Sequence, residues 1–177
     1  IAFYDHFHRY FITRRPSVVF GVNALFGVLL MFHDPELAVK LETLRYDVST
    51  VSMGYLHDLC YALTSSATGL FRLWDFFVLY EDPALFLYAV AAFLIANKAA
   101  VVAAAEQHVA ADLPPLDDAA VDNLIAVGFV LRNHTPRSFF RWVTGMMTFS
   151  QNYQRVYVKA LKRAFTVEVA AHDLILD

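Results

Sequence analysis

The sequence holds one cysteine, Cys60, in 177 residues, so neither a disulfide framework nor a Cys-based metal site can be assembled from it. That usage fits a reducing, cytosolic setting. Glycine is scarce too, at six residues, and neither a Gly-x-Gly-x-x-Gly stretch nor a Walker sequence occurs. Without such loops the backbone N–H groups that cradle phosphates are missing, and nucleotide binding by this chain is not expected. No Gly-x-Ser-x-Gly turn nominates a hydrolase nucleophile, and Cys60 has no basic neighbour in sequence to activate it. A basic excess is lacking as well: 14 Lys and Arg face 17 Asp and Glu, for a formal net charge of -3. Phosphate-binding domains normally carry a strong positive balance, so no nucleic-acid partner is expected and any basic surface must be local. The chain opens at Ile1 with no initiator Met and no charged n-region leading into an apolar h-region. No secretory signal is read, and the start is expected to be a cut inside a longer protein.

What the chain does have is apolar content, 58% against roughly 45–50% in soluble globular chains, enough for a large core. Apolar positions recur at three- and four-residue intervals, and no segment alternates apolar with polar between turn residues, which predicts an all-α fold of roughly eight to ten helices. A helix is expected over 17–32, with Pro16 at its start. His33-Asp34-Pro35-Glu36 then restarts a second one, Asp34 acting as N-cap and nothing more, Pro35 as N1 and Glu36 as the first-turn acid. Ser49 or Thr50 opens a helix to about 63, Thr64-Ser65-Ser66 breaks it, and 67–80 forms the next. Asp82-Pro83 repeats the Asp-Pro start for a long apolar helix to about 109, which Leu113-Pro114-Pro115 stops. A further helix is read over 117–133, its opening acids suiting the positive end of the dipole. Thr135-Pro136 starts another, 152–163 is basic and helical, and 165–177 is a short closing segment.

Residues 17–32 and 84–105 are apolar enough to raise the question of membrane spans, which need about 20 such residues. The first is short, and the second carries Lys98 near its middle, where a charge costs about 2.5–3.5 kcal/mol on insertion scales, with Asn97 beside it. Burial within a helical solenoid accounts for the same pattern and is preferred.

Of the seven histidines only His6 and His8 are close, and residues two apart on a helix face different ways, so no metal site is expected. His33-Asp34 and His57-Asp58 are adjacent rather than facing pairs, suited to caps or polar faces. Charge is more informative. No Asp or Glu occurs between Asn123 and Val167, while Arg132, Arg137, Arg141, Arg155, Lys159, Lys162 and Arg163 all fall there. Arg137 with Arg141, and Arg155 with Lys159, are four apart, so each pair can line one helix face and attract an acidic peptide or an anionic lipid surface. On the residues alone the plainer account, solvated faces that suit helix C-termini, stands slightly ahead. Phe139, Phe140 and Trp142 beside the arginines raise the binding account, because aromatics and Arg are typical interface anchors.

The run Leu70-Phe71-Arg72-Leu73-Trp74-Asp75-Phe76-Phe77 resembles the Leu-Trp-Asp motif in the C-terminal half of TBC domains, the fold of Rab GTPase-activating proteins. An ordered set of short matches accompanies it: Phe32-His33-Asp34-Pro35-Glu36-Leu37, Asp82-Pro83, Ala96-Asn97-Lys98, Asp117-Asp118 and Thr135-Pro136-Arg137-Ser138-Phe139. Tyr55 stands where the family has a Trp-containing helix. The resemblance implies that 1–150 is the C-terminal part of a TBC-like domain, with Trp74 as a core aromatic and Asp75 as a polar partner for its neighbours. It implies that 151–177 connects towards a rhodanese-like domain not included.

Active members of that family use an arginine finger from Ile-x-x-Asp-x-x-Arg and a glutamine from Tyr-x-Gln to stabilise the transition state of GTP hydrolysis. Neither motif occurs here. Asp5 and Arg9 are four apart rather than three, and Tyr153-Gln154 lacks the intervening residue and comes too late. The chain is most similar to the branch whose members lack the finger residues and bridge golgin tethers to endosome-derived vesicles. The expectation is a catalytically inactive adaptor, without cofactor, at the cytoplasmic face of the trans-Golgi network and endosomal vesicles. Its expected partner is an acidic amphipathic segment of a golgin or another trafficking protein, with a Rab GTPase as a further candidate and peripheral rather than integral membrane association. The alternatives are the C-terminal half of an active Rab GTPase-activating protein whose finger motifs lie upstream, and a membrane-embedded helical protein.

Overall fold

The computed structural model describes residues 16–139 apart from Glu81 and Pro83, with backbone alone for 16–20 and His57. The described chain is all-α. Its order is α1 (Pro16–His33), α2 (Pro35–Thr43), α3 (Ser49–His57), a 3-10 turn (Tyr61–Leu63), α4 (Ala67–Tyr80), α5 (Leu85–Ala96), α6 (Lys98–Glu106) and α7 (Asp118–His134). These eight helical elements agree with the expected number. Among the described residues the one β-type pairing is an isolated parallel bridge between Thr64 and Leu116.

Helix α5 is the centre of the fold. Every residue of its first ten positions, from Leu85 to Leu94, is buried, and it packs on α7, α1, α3 and α6. A helix apolar on all sides has no stable place at a water-facing surface, which is why the others wrap it. Burying a Leu or Phe side chain is worth about 1.5–3 kcal/mol, against about 0–1 kcal/mol for an exposed ion pair. Phe86, Phe93, Leu87 and Leu94, with Phe77 of α4 and Phe26 of α1, therefore outweigh the surface salt bridges in holding the elements together.

Several starts follow the sequence. Asp34 Oδ1 accepts the Leu37 N–H at 2.8 Å, with Pro35 at N1 and Glu36 in the first turn of α2. Asp117 caps α7 through Ala120 N–H at 2.8 Å. Ser66 Oγ accepts the Gly69 N–H at 2.9 Å and so caps α4.

Three expectations need correction. Asp34 is more than a cap, because Lys98 Nζ also reaches its Oδ1, at 3.0 Å, and Glu36 Oε2, at 2.6 Å. These bonds, to Glu36 first and then to Asp34, raise the Lys98 pKa and hold it charged. The helix from 49 ends at His57 rather than near 63, since Leu59 and Cys60 both take positive φ, 50° and 65°, and turn the chain. The long apolar helix ends at Ala96: Asn97 folds its side-chain amide back to donate to the Phe93 carbonyl at 2.9 Å, and α6 leaves at a bend of 77°. No single described helix is long and apolar enough to cross a membrane, although the bent pair α5 and α6 together has the length and composition. The Pro114-Pro115 stop thus lies well after the end of α6.

Helices α2, α3 and α6 finish alike. In each, one N–H reaches back five residues, from Tyr46 to Leu41, Cys60 to Tyr55 and Val109 to Ala104. The residue before it bonds three back, from Arg45 to Glu42, Leu59 to Leu56 and His108 to Ala105. This is the Schellman arrangement, which wants glycine at the left-handed position, yet Arg45, Leu59 and His108 hold φ of 52°, 50° and 54°. The Tyr46 hydroxyl donates to the Val109 carbonyl at 2.9 Å and so links the ends of α2 and α6.

Candidate protein-binding groove

Helices α4 and α7 lie side by side in the same direction, because their starts are stitched together. Leu116 N–H donates to the Leu63 carbonyl at 2.8 Å, Ser65 N–H returns to the Leu116 carbonyl at 3.0 Å, and the Ser66 hydroxyl donates to Asp118 Oδ1. Further along, Arg72 pairs with Asp122 at 3.1 Å. Near the far ends, Arg132 in the last turn of α7 donates through Nε to Oδ2 of Asp82, just past α4, at 2.7 Å. Gly69 permits the close approach at the start, for a Cβ there would lie 2.6 Å from Thr64 Oγ1 and 3.1 Å from Asp118 Oδ1.

On α4 the stripe Gly69, Leu70, Leu73 and Phe77 is buried, at the spacing of one helix face. The other side is apolar as well. Phe71, Val78, Leu79 and Tyr80 are exposed, Leu79 to 77%. Between α4 and α7 the last three of these border an open hollow of about 650 Å³, together with Phe76, Ile125, Ala126 and Phe129. Its floor is an aromatic trio: Phe76 to Tyr80 is 5.0 Å between ring centroids, Tyr80 to Phe129 5.3 Å and Phe76 to Phe129 6.3 Å. Asp75 stands on the rim, and the Arg132 guanidinium lies 6.0 Å from the Phe129 centroid at the other end. The groove therefore offers apolar area with charge at its margins, the arrangement that receives an amphipathic helix.

A polar cluster lies at the C-terminal end of α7. His33 Nε2 meets Thr135 Oγ1 at 2.8 Å, and Thr135 in turn donates to the Leu131 carbonyl at 2.8 Å. The Thr135 proton is used on Leu131, so the His33 ring donates to the threonine oxygen. Burial first, and the nearby His134 second, lower the His33 pKa to about 4. Burial raises the Tyr88 hydroxyl, beside the same threonine, and the Cys60 thiol, which leaves the latter an unreactive core residue.

The residues singled out in the sequence fall as follows. Trp74 is half-buried and its indole N–H donates to the Leu59 carbonyl at 2.8 Å, so it braces the left-handed turn after α3. Asp75 is exposed on the groove rim. Asp34 and Pro35 start α2 as described. Thr135 bonds back into α7 and to His33, while Phe139 N–H reaches the Pro136 carbonyl at 2.9 Å. Arg132 is half-buried and paired with Asp82, and Arg137 is exposed just past α7. Arg141, Arg155, Lys159, Lys162 and Arg163, with Phe140 and Trp142, lie outside the described residues, as do His6, His8, the finger-motif comparisons and the connector 151–177. Among the described residues no group of three or more His, Cys, Asp or Glu side chains could hold a metal. Sequence reasoning missed the groove itself; its only signal was that Phe71, Val78 and Leu79 exceed what one buried stripe of α4 can use.

No protein-family model, curated protein or solved structure matches this chain.

Proposed function

We propose that the chain is a non-catalytic, TBC-like adaptor lobe that captures an amphipathic helical segment of a trafficking protein in the groove between α4 and α7. One observation carries the reading: an aromatic-floored apolar hollow lies open between α4 and α7, along the flank of the buried stripe of α4. Covering Leu79 alone removes a side chain worth about 1.5–3 kcal/mol from water, enough for an anchor. Arg72 and Arg132 near the margins are matched by Asp122 and Asp82, so with Asp75 the rim carries no positive excess. In this reading the charge that orients an acidic segment comes from Arg137 and the basic residues that follow it in sequence, while the apolar hollow provides the grip. The TBC resemblance supplies the partner class, a golgin tether, and with it the cytoplasmic face of the trans-Golgi network and vesicle capture.

The test is fluorescence anisotropy with an acidic amphipathic golgin peptide. Leu79→Asp is expected to weaken binding at least about tenfold, and reversal of Arg137 and Arg141 to Glu to weaken it several-fold at low salt and less at high salt. Absence of peptide binding, or affinity untouched by Leu79→Asp with helicity preserved, removes the reading. Unchanged affinity after the charge reversal removes the basic run from it. Stimulation of GTP hydrolysis on a Rab by a longer form bearing both finger motifs upstream would replace the adaptor with the enzyme.

A further inference from the structure

We propose that a second cavity, between α1, α2 and the turn that follows α2, is a binding site for a small apolar cation, an alkyl or aryl body ending in an ammonium group. The cavity measures about 360 Å³, within the range of about 300–1,000 Å³ typical of small-molecule pockets. Its walls are Val28, Leu30 and Leu41, all buried, together with Met31 and the Tyr46 side chain. Its room comes from a missing side chain: a Cβ built on Gly27 meets nothing within 4 Å. Gly27 lies mid-helix in α1, where glycine costs about 1 kcal/mol against alanine, so the space is held open against helix propensity.

The mouth is negative. Glu42 and Asp47 both line it and both are exposed to solvent at its edge. One oxygen of Asp47 accepts the Ser49 N–H at 2.9 Å, which fixes the carboxylate, and neither acid is ion-paired among the described residues. Helix α2 ends between them, so the negative end of its dipole adds to the same side. Arg45, in the same turn, is not among the lining residues. An apolar body inside with its positive end at the carboxylates satisfies both halves of the site, whereas a carboxylate or phosphate ligand would meet like charge.

The test uses three probes of one length, octylammonium, 1-octanol and octanoate, titrated calorimetrically into the intact chain. Octylammonium is expected to bind about tenfold more tightly than octanol, and octanoate more weakly than either. Gly27→Phe, which fills the cavity, is expected to abolish octylammonium binding; Glu42→Gln is expected to bring octylammonium towards octanol while octanol itself is unchanged. Equal binding of the three probes, no binding of octylammonium, or full binding to Gly27→Phe would overturn the proposal. Should Gly27→Phe fail to fold, the probe order and Glu42→Gln decide alone.

Discussion

At the scale of single residues, the clearest cost in the fold is left-handed backbone without glycine. Arg45 and His108 are both exposed and hold φ near 50°, where a side chain costs about 1–2 kcal/mol. Replacing either with glycine also loosens the unfolded chain by about 0.4–1 kcal/mol. The first effect is larger, so Arg45→Gly and His108→Gly are each expected to raise stability by about 0.5–1 kcal/mol, read as a higher urea midpoint at unchanged slope. A lower midpoint in both would mean that these side chains make contacts worth more than the strain. The same positions show what was unreadable from sequence. The end of α3 carries no glycine or proline at Leu59-Cys60, so periodicity ran on to 63; the turn is set by the Trp74 indole bonding to the Leu59 carbonyl, a contact from another helix.

At the scale of elements, the weld between the starts of α4 and α7 depends on Gly69. A methyl there is crowded from three sides, by Thr64 Oγ1, Asp118 Oδ1 and Val121 Cγ2 at 2.6, 3.1 and 3.2 Å. Overpacking of about 1–3 kcal/mol exceeds the helix-propensity gain of about 1 kcal/mol, so Gly69→Ala is expected to destabilise. Gly128 of α7 is the matched control, since a Cβ there meets α5 backbone at 3.6–3.7 Å, an ordinary contact, and Gly128→Ala is expected to be neutral or stabilising. Thermal unfolding of the two variants side by side checks the sign; equal effects would deny the crowding. Helix starts were legible because Asp34-Pro35, Ser66 and Asp117 act locally through their own side chains. The bend at Asn97 was not, because Asn97-Lys98 reads equally as a polar interruption of one helix, and only the Asp34 and Glu36 carboxylates across the fold give Lys98 its place.

For the whole molecule, pH acts through His33, which ties α1 to the end of α7. Its folded pKa, about 4, lies below the ordinary 6.5, so the folded state binds fewer protons than the unfolded state between these values. Stability is then complete above about pH 6.5 and falls as pH drops towards 4. His33→Gln keeps a donor for Thr135 without titrating, and its urea-measured stability is expected to decline less between pH 7 and pH 5 than that of the parent chain. Parallel declines would exclude His33 as the source. The fold class was legible at this scale from apolar spacing and the shortage of glycine. The groove was not, because an apolar residue on α4 reads the same whether it faces α5 or water, and only the placement of α7 separates Leu73 from Leu79.

The joined starts of α4 and α7 have a mechanical corollary. Fixed at one end and fastened at the other by the Arg132–Asp82 pair and the packing of Phe129 on Phe76 and Tyr80, the two rods behave like tongs with a clasp. Whatever cylinder slides between the tips is gauged by its girth, and bulky side chains on it must spring that clasp before they can seat.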